Sequence, residues 1–187
     1  MRTRSLGSGM GALYSRTARR RRCRLARPWN GICNRNHETT RLCLERLTEI
    51  TRDLAAAGEA LSSGGVIDVG CGSGILAVTA VALGFEPVVG FDTDREAVRV
   101  SRENAAINGF AERIVFGRSD LKSGLIGRTA WVILANIQAD ISMAGRDFLL
   151  DALDSDGRLI LGGISTCELD EVRRFPLSSS KESFSES

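Results

Sequence analysis

The chain has 187 residues, of which 43% are hydrophobic and 26% charged, and its formal net charge is +2. This size and balance read as one soluble globular domain with a real core. They exclude a membrane-spanning helix, because no apolar run approaches the roughly 20 residues such a helix needs.

The charge is unevenly placed. Residues 1–36 hold ten arginines and no Asp, Glu or Lys, a local charge of +10, and the rest carries −8. The run Arg19-Arg20-Arg21-Arg22-Cys23-Arg24 marks this stretch as a separate basic leader. Three readings stay open for it. Clustered arginine can bind RNA phosphates by releasing counterions. An Arg-rich, acid-free segment also fits an organellar presequence. A solvated, disordered leader or a mis-started frame fits as well. A secretory signal is not expected, since no apolar core precedes a small-residue cleavage site. Cytoplasm is the default location, and the organellar alternative rests on the leader alone. Five cysteines (Cys23, Cys33, Cys43, Cys71, Cys167) form no CxxC pair, so they read as free thiols in a reducing compartment and no metal site is expected.

A folded domain is expected over residues 37–174. Cys43, Leu47, Ile50 and Leu54 recur at helical spacing and predict a helix over 40–57. Gly58 and Ser62-Ser63-Gly64-Gly65 break it. Val66-Ile67-Asp68-Val69 is a short buried strand, and an apolar helix over 73–83 stops at Gly84. Residues 87–91 form the second strand. Thr93 with Glu96 predicts a capping box for a helix that ends at Asn108-Gly109. Ile114-Val115-Phe116 and Trp131-Val132-Ile133-Leu134 are the third and fourth strands, and residues 139–150 a helix. Asp156-Gly157 predicts a turn into a fifth strand, Arg158-Leu159-Ile160-Leu161. Glu168 to Arg174 begins another helix. The Ser-rich tail over 175–187 is expected to be disordered.

Continuous apolar strands alternating with helices predict an α/β fold: a Rossmann-like, doubly wound, mostly parallel sheet covered on both faces. Its ligand belongs at the carboxyl ends of the strands, beside the first strand–helix turn. That turn is Val69-Gly70-Cys71-Gly72-Ser73-Gly74. Gly70, Gly72 and Gly74 let backbone turn tightly and approach a ligand closely. Dinucleotide sites use G-x-G-x-x-G with a pyrophosphate on the helix N-terminus. Here the last glycine comes one residue early, which favours S-adenosylmethionine (SAM) over NAD, because SAM has no phosphate to cradle. Asp68 suits its cationic amino group. Asp92, at the end of the second strand, can accept both ribose hydroxyls. Asp120 either reaches the adenine amino group or caps a helix. Asn136 ends the fourth strand, where the transferred methyl should lie. Its amide oxygen can accept from an attacking amine or from the SAM amino group, so it is the candidate catalytic residue.

Several stretches together resemble the PrmA family, the class I SAM-dependent methyltransferases of the large-subunit ribosomal protein L-eleven. His37-Glu38-Thr39-Thr40-Arg41-Leu42-Cys43-Leu44-Glu45 is similar to the family's H-P-T-T-x-L-C-L-x. Val89-Gly90-Phe91-Asp92-Thr93-Asp94 resembles its V-G-x-D-x-D. Ser101-Arg102-Glu103-Asn104-Ala105, Leu134-Ala135-Asn136-Ile137 and the run Gly157 to Ile164 also match, so the resemblance covers about residues 37–172. It implies SAM-dependent methylation of protein amines, on lysine or an N-terminal amine, with Thr40, Gly70, Asp92 and Asn136 at the SAM-binding positions. It also implies a chain truncated at both ends. The family's F-G-T-G is replaced by Gly31-Ile32-Cys33-Asn34-Arg35-Asn36, its first domain has no counterpart, and the terminal strands of the sheet are not expected. A methyltransferase of RNA or of a small molecule, and a non-catalytic SAM-binding fragment, are the alternative functions.

Overall fold

The computed structural model describes residues 37–58 and 64–164. The basic leader, the candidate helix over 168–174 and the Ser-rich tail lie outside the described residues. The elements follow in the order α1 (His37–Ala57), β1 (Val66–Val69), α2 (Ile75–Leu83), β2 (Val88–Asp92) and α3 (Arg95–Ile107). Then come β3 (Ile114–Arg118), α4 (Leu121–Leu125), β4 (Ala130–Asn136), α5 (Ala139–Ala144), α6 (Arg146–Asp151) and β5 (Leu153–Gly162). The five strands form one all-parallel sheet in the order β3-β2-β1-β4-β5. This is the doubly wound class that the strand–helix alternation predicts. Among the described residues, no helix is long and apolar enough to cross a membrane.

Strand alternation sorts the core into two layers, because successive side chains leave opposite faces of a sheet. Val66, Val88, Ile114, Phe116, Val132 and Leu134 pack with α1, α2 and α3 on one face. Ile67, Val69, Phe91, Ile133 and Ala135 pack with Leu125 of α4 and Leu149 of α6 on the other. Leu47 of α1 is 0% exposed in the first layer. Leu47→Ala leaves a cavity there and should lower unfolding free energy by about 3 kcal/mol, read as a reduced urea midpoint at unchanged slope.

Four local expectations need correcting. The N-cap of α3 is Asp94, not Thr93: its carboxylate accepts from the Glu96 N–H at 2.8 Å. The chain leaves β2 by a turn in which Asp92 Oδ1 accepts from the Asp94 N–H at 2.9 Å, which moves the cap one residue on. The helix over 139–150 is two helices, divided at Gly145. A Cβ at Gly145 would meet Leu121 Cδ2 at 2.5 Å, so the small residue at the break lets α4 pack closely there. The helix foreseen from Ser73 begins at Ile75, because Gly74 takes a left-handed conformation as its N-cap. The Asp156-Gly157 turn does not precede β5 but falls inside it, where pairing jumps from Leu153 opposite Ala130 to Arg158 opposite Val132.

Candidate cofactor site

The carboxyl ends of β1, β2 and β4 open into a cavity of about 450 Å³, a size suited to a small-molecule ligand. The β1–α2 turn forms its floor. Gly70, Gly72 and Gly74 have φ of 67°, 53° and 75°, a region that side-chain-bearing residues avoid. At Gly70 a Cβ would also lie 2.3 Å from Ile137 Cγ2. The wall formed by β4 and the glycine turn are therefore packed so closely that only glycine fits.

Asp92 lies at the cavity wall as the last residue of β2. Its Oδ2 accepts from the Gly72 N–H at 3.0 Å, tying the glycine turn to the second strand. A carboxylate has about four acceptor positions. The two backbone bonds leave each oxygen of Asp92 room for one more donor.

Thr40 of α1 and Asn136 of β4 meet at the opposite wall. Asn136 Nδ2 donates to Thr40 Oγ1 at 3.0 Å across 96 residues of sequence. Asn136 Oδ1 is buried and has no partner among the described residues. Gly162 of β5 makes room for this amide, since a Cβ there would lie 2.6 Å from Asn136 Oδ1 and 2.8 Å from Cys43 Sγ. An orphaned acceptor of this kind is costly to bury.

Asp68 and Asp120 are placed differently from the other expected site residues. Asp68 is 1% exposed and does not line the cavity. It shares a strand face with Val66 and lies beneath the turn, where its Oδ2 accepts from the Ala77 N–H at 3.1 Å. Burial raises its carboxyl pKa to about 7, against the lowering by the Ala77 N–H. Asp120 is exposed, lies outside the cavity lining and caps α4, accepting from the Ser123 N–H at 2.7 Å. That bond and the Ser123 hydroxyl hold its pKa below the ordinary value.

Sequence reasoning passed over several lining residues: Thr93, Ser119, Leu121, Gln138 and Ile141. All sit within a few residues of a strand's carboxyl end, and that position was the available signal. The ionisable groups of the lining are Asp92, Asp94 and Cys71. Burial, then Asp68 and Asp92, push the Cys71 thiol pKa up, so it stays protonated. Among the described residues the lining includes two carboxylates and no Arg or Lys, a balance that suits a cationic ligand. Among the described residues, no group of three or more His, Cys, Asp or Glu could hold a metal ion.

A parallel 3-2-1-4-5 sheet with a glycine turn after β1, an acid ending β2 and an amide ending β4 is the arrangement of the class I methyltransferase fold. The chain belongs to the family described as Ribosomal protein L11 methyltransferase (PrmA), whose model matches residues 34–184. It is 39% identical over 137 residues to a ribosomal protein L11 methyltransferase of Caldanaerobacter subterraneus subsp. tengcongensis, covering 73% of this chain and 41% of that protein. The corresponding protein of Pelobacter propionicus is 42% identical over 128 residues, covering 68% of this chain and 40% of its own length. The chain thus spans about two fifths of the length of these relatives. A crystal structure of a ribosomal protein L11 methylase from Lactobacillus delbrueckii subsp. bulgaricus superposes with a TM-score of 0.65 at 31% identity, covering 75% of this chain and 67% of that one.

Proposed function

We propose that this chain binds SAM in the cavity and transfers its methyl group to an amine of a protein, a lysine or N-terminal amine of a large-subunit ribosomal protein. The observation that carries the reading is the Thr40–Asn136 pair. Two residues 96 positions apart form one wall beside the glycine turn, and a buried amide oxygen there lacks a donor. The relatives' names supply the acceptor class. Ribosome assembly in the cytoplasm is the matching location.

Bound SAM would supply a methyl group on a sulfonium, from which a neutral thioether departs readily. The protein's part is positioning and exclusion of water. Asp92 accepts the ribose hydroxyls. Gly70 and Gly72 bring bare backbone to the cofactor. Thr40 and Asn136 hold its amino-acid end, and Asn136 Oδ1 accepts an N–H from the cofactor ammonium or from the incoming amine. Among the described residues the lining offers no dedicated base: Asp92 is engaged by two backbone N–H groups, Asp94 caps α3 and Cys71 keeps its proton. The acceptor amine therefore loses its proton to water before attack.

The test is calorimetric titration of the purified chain with SAM and, in parallel, NAD, followed by transfer of labelled methyl to the isolated ribosomal protein. Binding of SAM alone, with label on an amine, is the expected result. A cooperatively folded chain that binds no SAM would end the enzyme reading. Asn136→Ala should weaken SAM binding by tenfold or more, one hydrogen bond to a charged group being worth ~1.5–3 kcal/mol. An unchanged affinity would remove Asn136 from the site.

A further inference from the structure

The glycine turn is also held from below. In a regular helix the Ala77 N–H would donate to the carbonyl four residues back, that of Ser73. Here the helix begins only at Ile75, after the left-handed Gly74, so the Ala77 N–H is among the first donors of the helix and has no carbonyl partner within it. This donor and the Ser73 carbonyl both face protein interior. Asp68 takes the donor, its Oδ2 accepting from the Ala77 N–H at 3.1 Å. Asn104 of α3 serves the acceptor, its Nδ2 donating to Ser73 O at 2.8 Å from 31 residues away.

Asn104 is 1% exposed and does not line the cavity, whereas Ser73 does. Its neighbour one helical turn earlier completes the seat. Ser101 is fully buried, and a Cβ at Gly74 would lie 2.8 Å from Ser101 Cβ. The Asn108 side chain donates to Asn104 O at 2.7 Å, fixing the end of α3 at this point. A buried amide spanning two elements is retained where its hydrogen bonds specify a geometry that apolar packing would leave loose.

We propose that Asn104 is a positioning residue for the cofactor. By holding Ser73 O it fixes the glycine turn in the conformation that receives SAM, and it touches no ligand itself. The proposal rests on the reading of the cavity as a SAM site. It separates Asn104 from ordinary core residues, whose loss lowers stability without a specific effect on SAM affinity.

Asn104→Asp tests it, because the substituted side chain has the same shape and a donor that depends on protonation. Protonated, it donates to Ser73 O as the amide does. Ionised, it presents an acceptor to an acceptor. A buried carboxyl titrates above its ordinary range, so calorimetric SAM titrations of both proteins from pH 6 to pH 9 span the change. The variant-to-wild-type ratio of Kd removes the titration of SAM and of Asp68, which both proteins share. The expected ratio is at least tenfold at pH 9 and falls to within threefold at pH 6. A ratio that does not vary with pH in a folded variant overturns the proposal. If the variant does not fold at pH 9, the wild-type chain decides by nuclear magnetic resonance. SAM should slow hydrogen exchange of the Asn104 side-chain amide together with that of the Gly72 N–H. Slowing at Gly72 alone overturns the proposal. A wild-type chain that binds no SAM overturns the site reading itself, a result distinct from either of these.

Discussion

Asp92→Ala should raise the Kd for SAM by a factor of roughly 10² to 10³, a loss of about 3–4 kcal/mol. Two contributions add. Hydrogen bonds to a charged acceptor are worth ~1.5–3 kcal/mol each, and Asp92 has one open position on each carboxylate oxygen for the two ribose hydroxyls. The variant also frees the Gly72 N–H, which donates to Asp92 Oδ2 at 3.0 Å and ties the glycine turn to β2. Asp92→Asn should fare little better. Its oxygens at present accept from two different backbone N–H groups, those of Gly72 and Asp94. Either orientation of an amide therefore turns its NH₂ toward one of those donors. Calorimetric titration of both variants checks this against the wild type. An affinity within threefold of wild type in the alanine variant would show that the cofactor does not use the β2 acid.

The contrast among the three acids shows how far sequence reasoning reached. Asp68 lies within a strand, Asp92 ends one and Asp120 follows one; sequence alone placed the first two at the ligand and left Asp120 between the adenine and a helix cap. Only Asp92 lines the cavity. It is the last residue of its strand, where the backbone turns and the side chain reaches the rim. Asp68 is the third residue of a four-residue strand. Period-two alternation puts it on the face of Val66, under α1 and α2, and that was legible from spacing alone. Asp120 starts a helix, and the local bond to the Ser123 N–H captures its carboxylate.

Long-range placement was less legible than local structure. The strands and the glycine turn follow from periodicity and from backbone freedom. The meeting of Thr40 with Asn136 does not, because no local pattern states which helix packs over the end of β4. Only the family resemblance placed Thr40 at the cofactor. The split at Gly145 was hidden for a related reason. The residue packed against the bare Gly145 is Leu121, which approaches from a different helix. The seat of the turn on Asn104 was likewise invisible, because the bond to Ser73 O joins elements 31 residues apart.

Asp68→Asn should change how stability depends on pH, by roughly 4 kcal/mol across the window from pH 4 to pH 7. Burial raises the folded carboxyl pKa from 3.8 to about 7; the Ala77 N–H opposes the rise and Asp92 adds to it. In the unfolded chain the group titrates near its ordinary value. Between these values the folded chain keeps a proton that the unfolded chain has released. Each pH unit then costs the fold about 1.4 kcal/mol. The contribution of Asp68 is fully present below pH 4, declines as pH rises to 7, and is flat beyond. An asparagine does not titrate, and its amide oxygen still accepts from the Ala77 N–H. The stability of Asp68→Asn relative to wild type should therefore rise steadily from pH 4 to pH 7 and then level off. Urea unfolding of both proteins at half-unit pH steps measures the difference directly and cancels every other titrating group they share. Parallel stability curves would mean that Asp68 holds its proton no more tightly in the folded chain than in the unfolded one. Water or a cationic partner would then have to reach the space beneath the glycine turn. A sloping difference would mean that the cofactor loop rests on a carboxyl that takes up its proton near neutral pH.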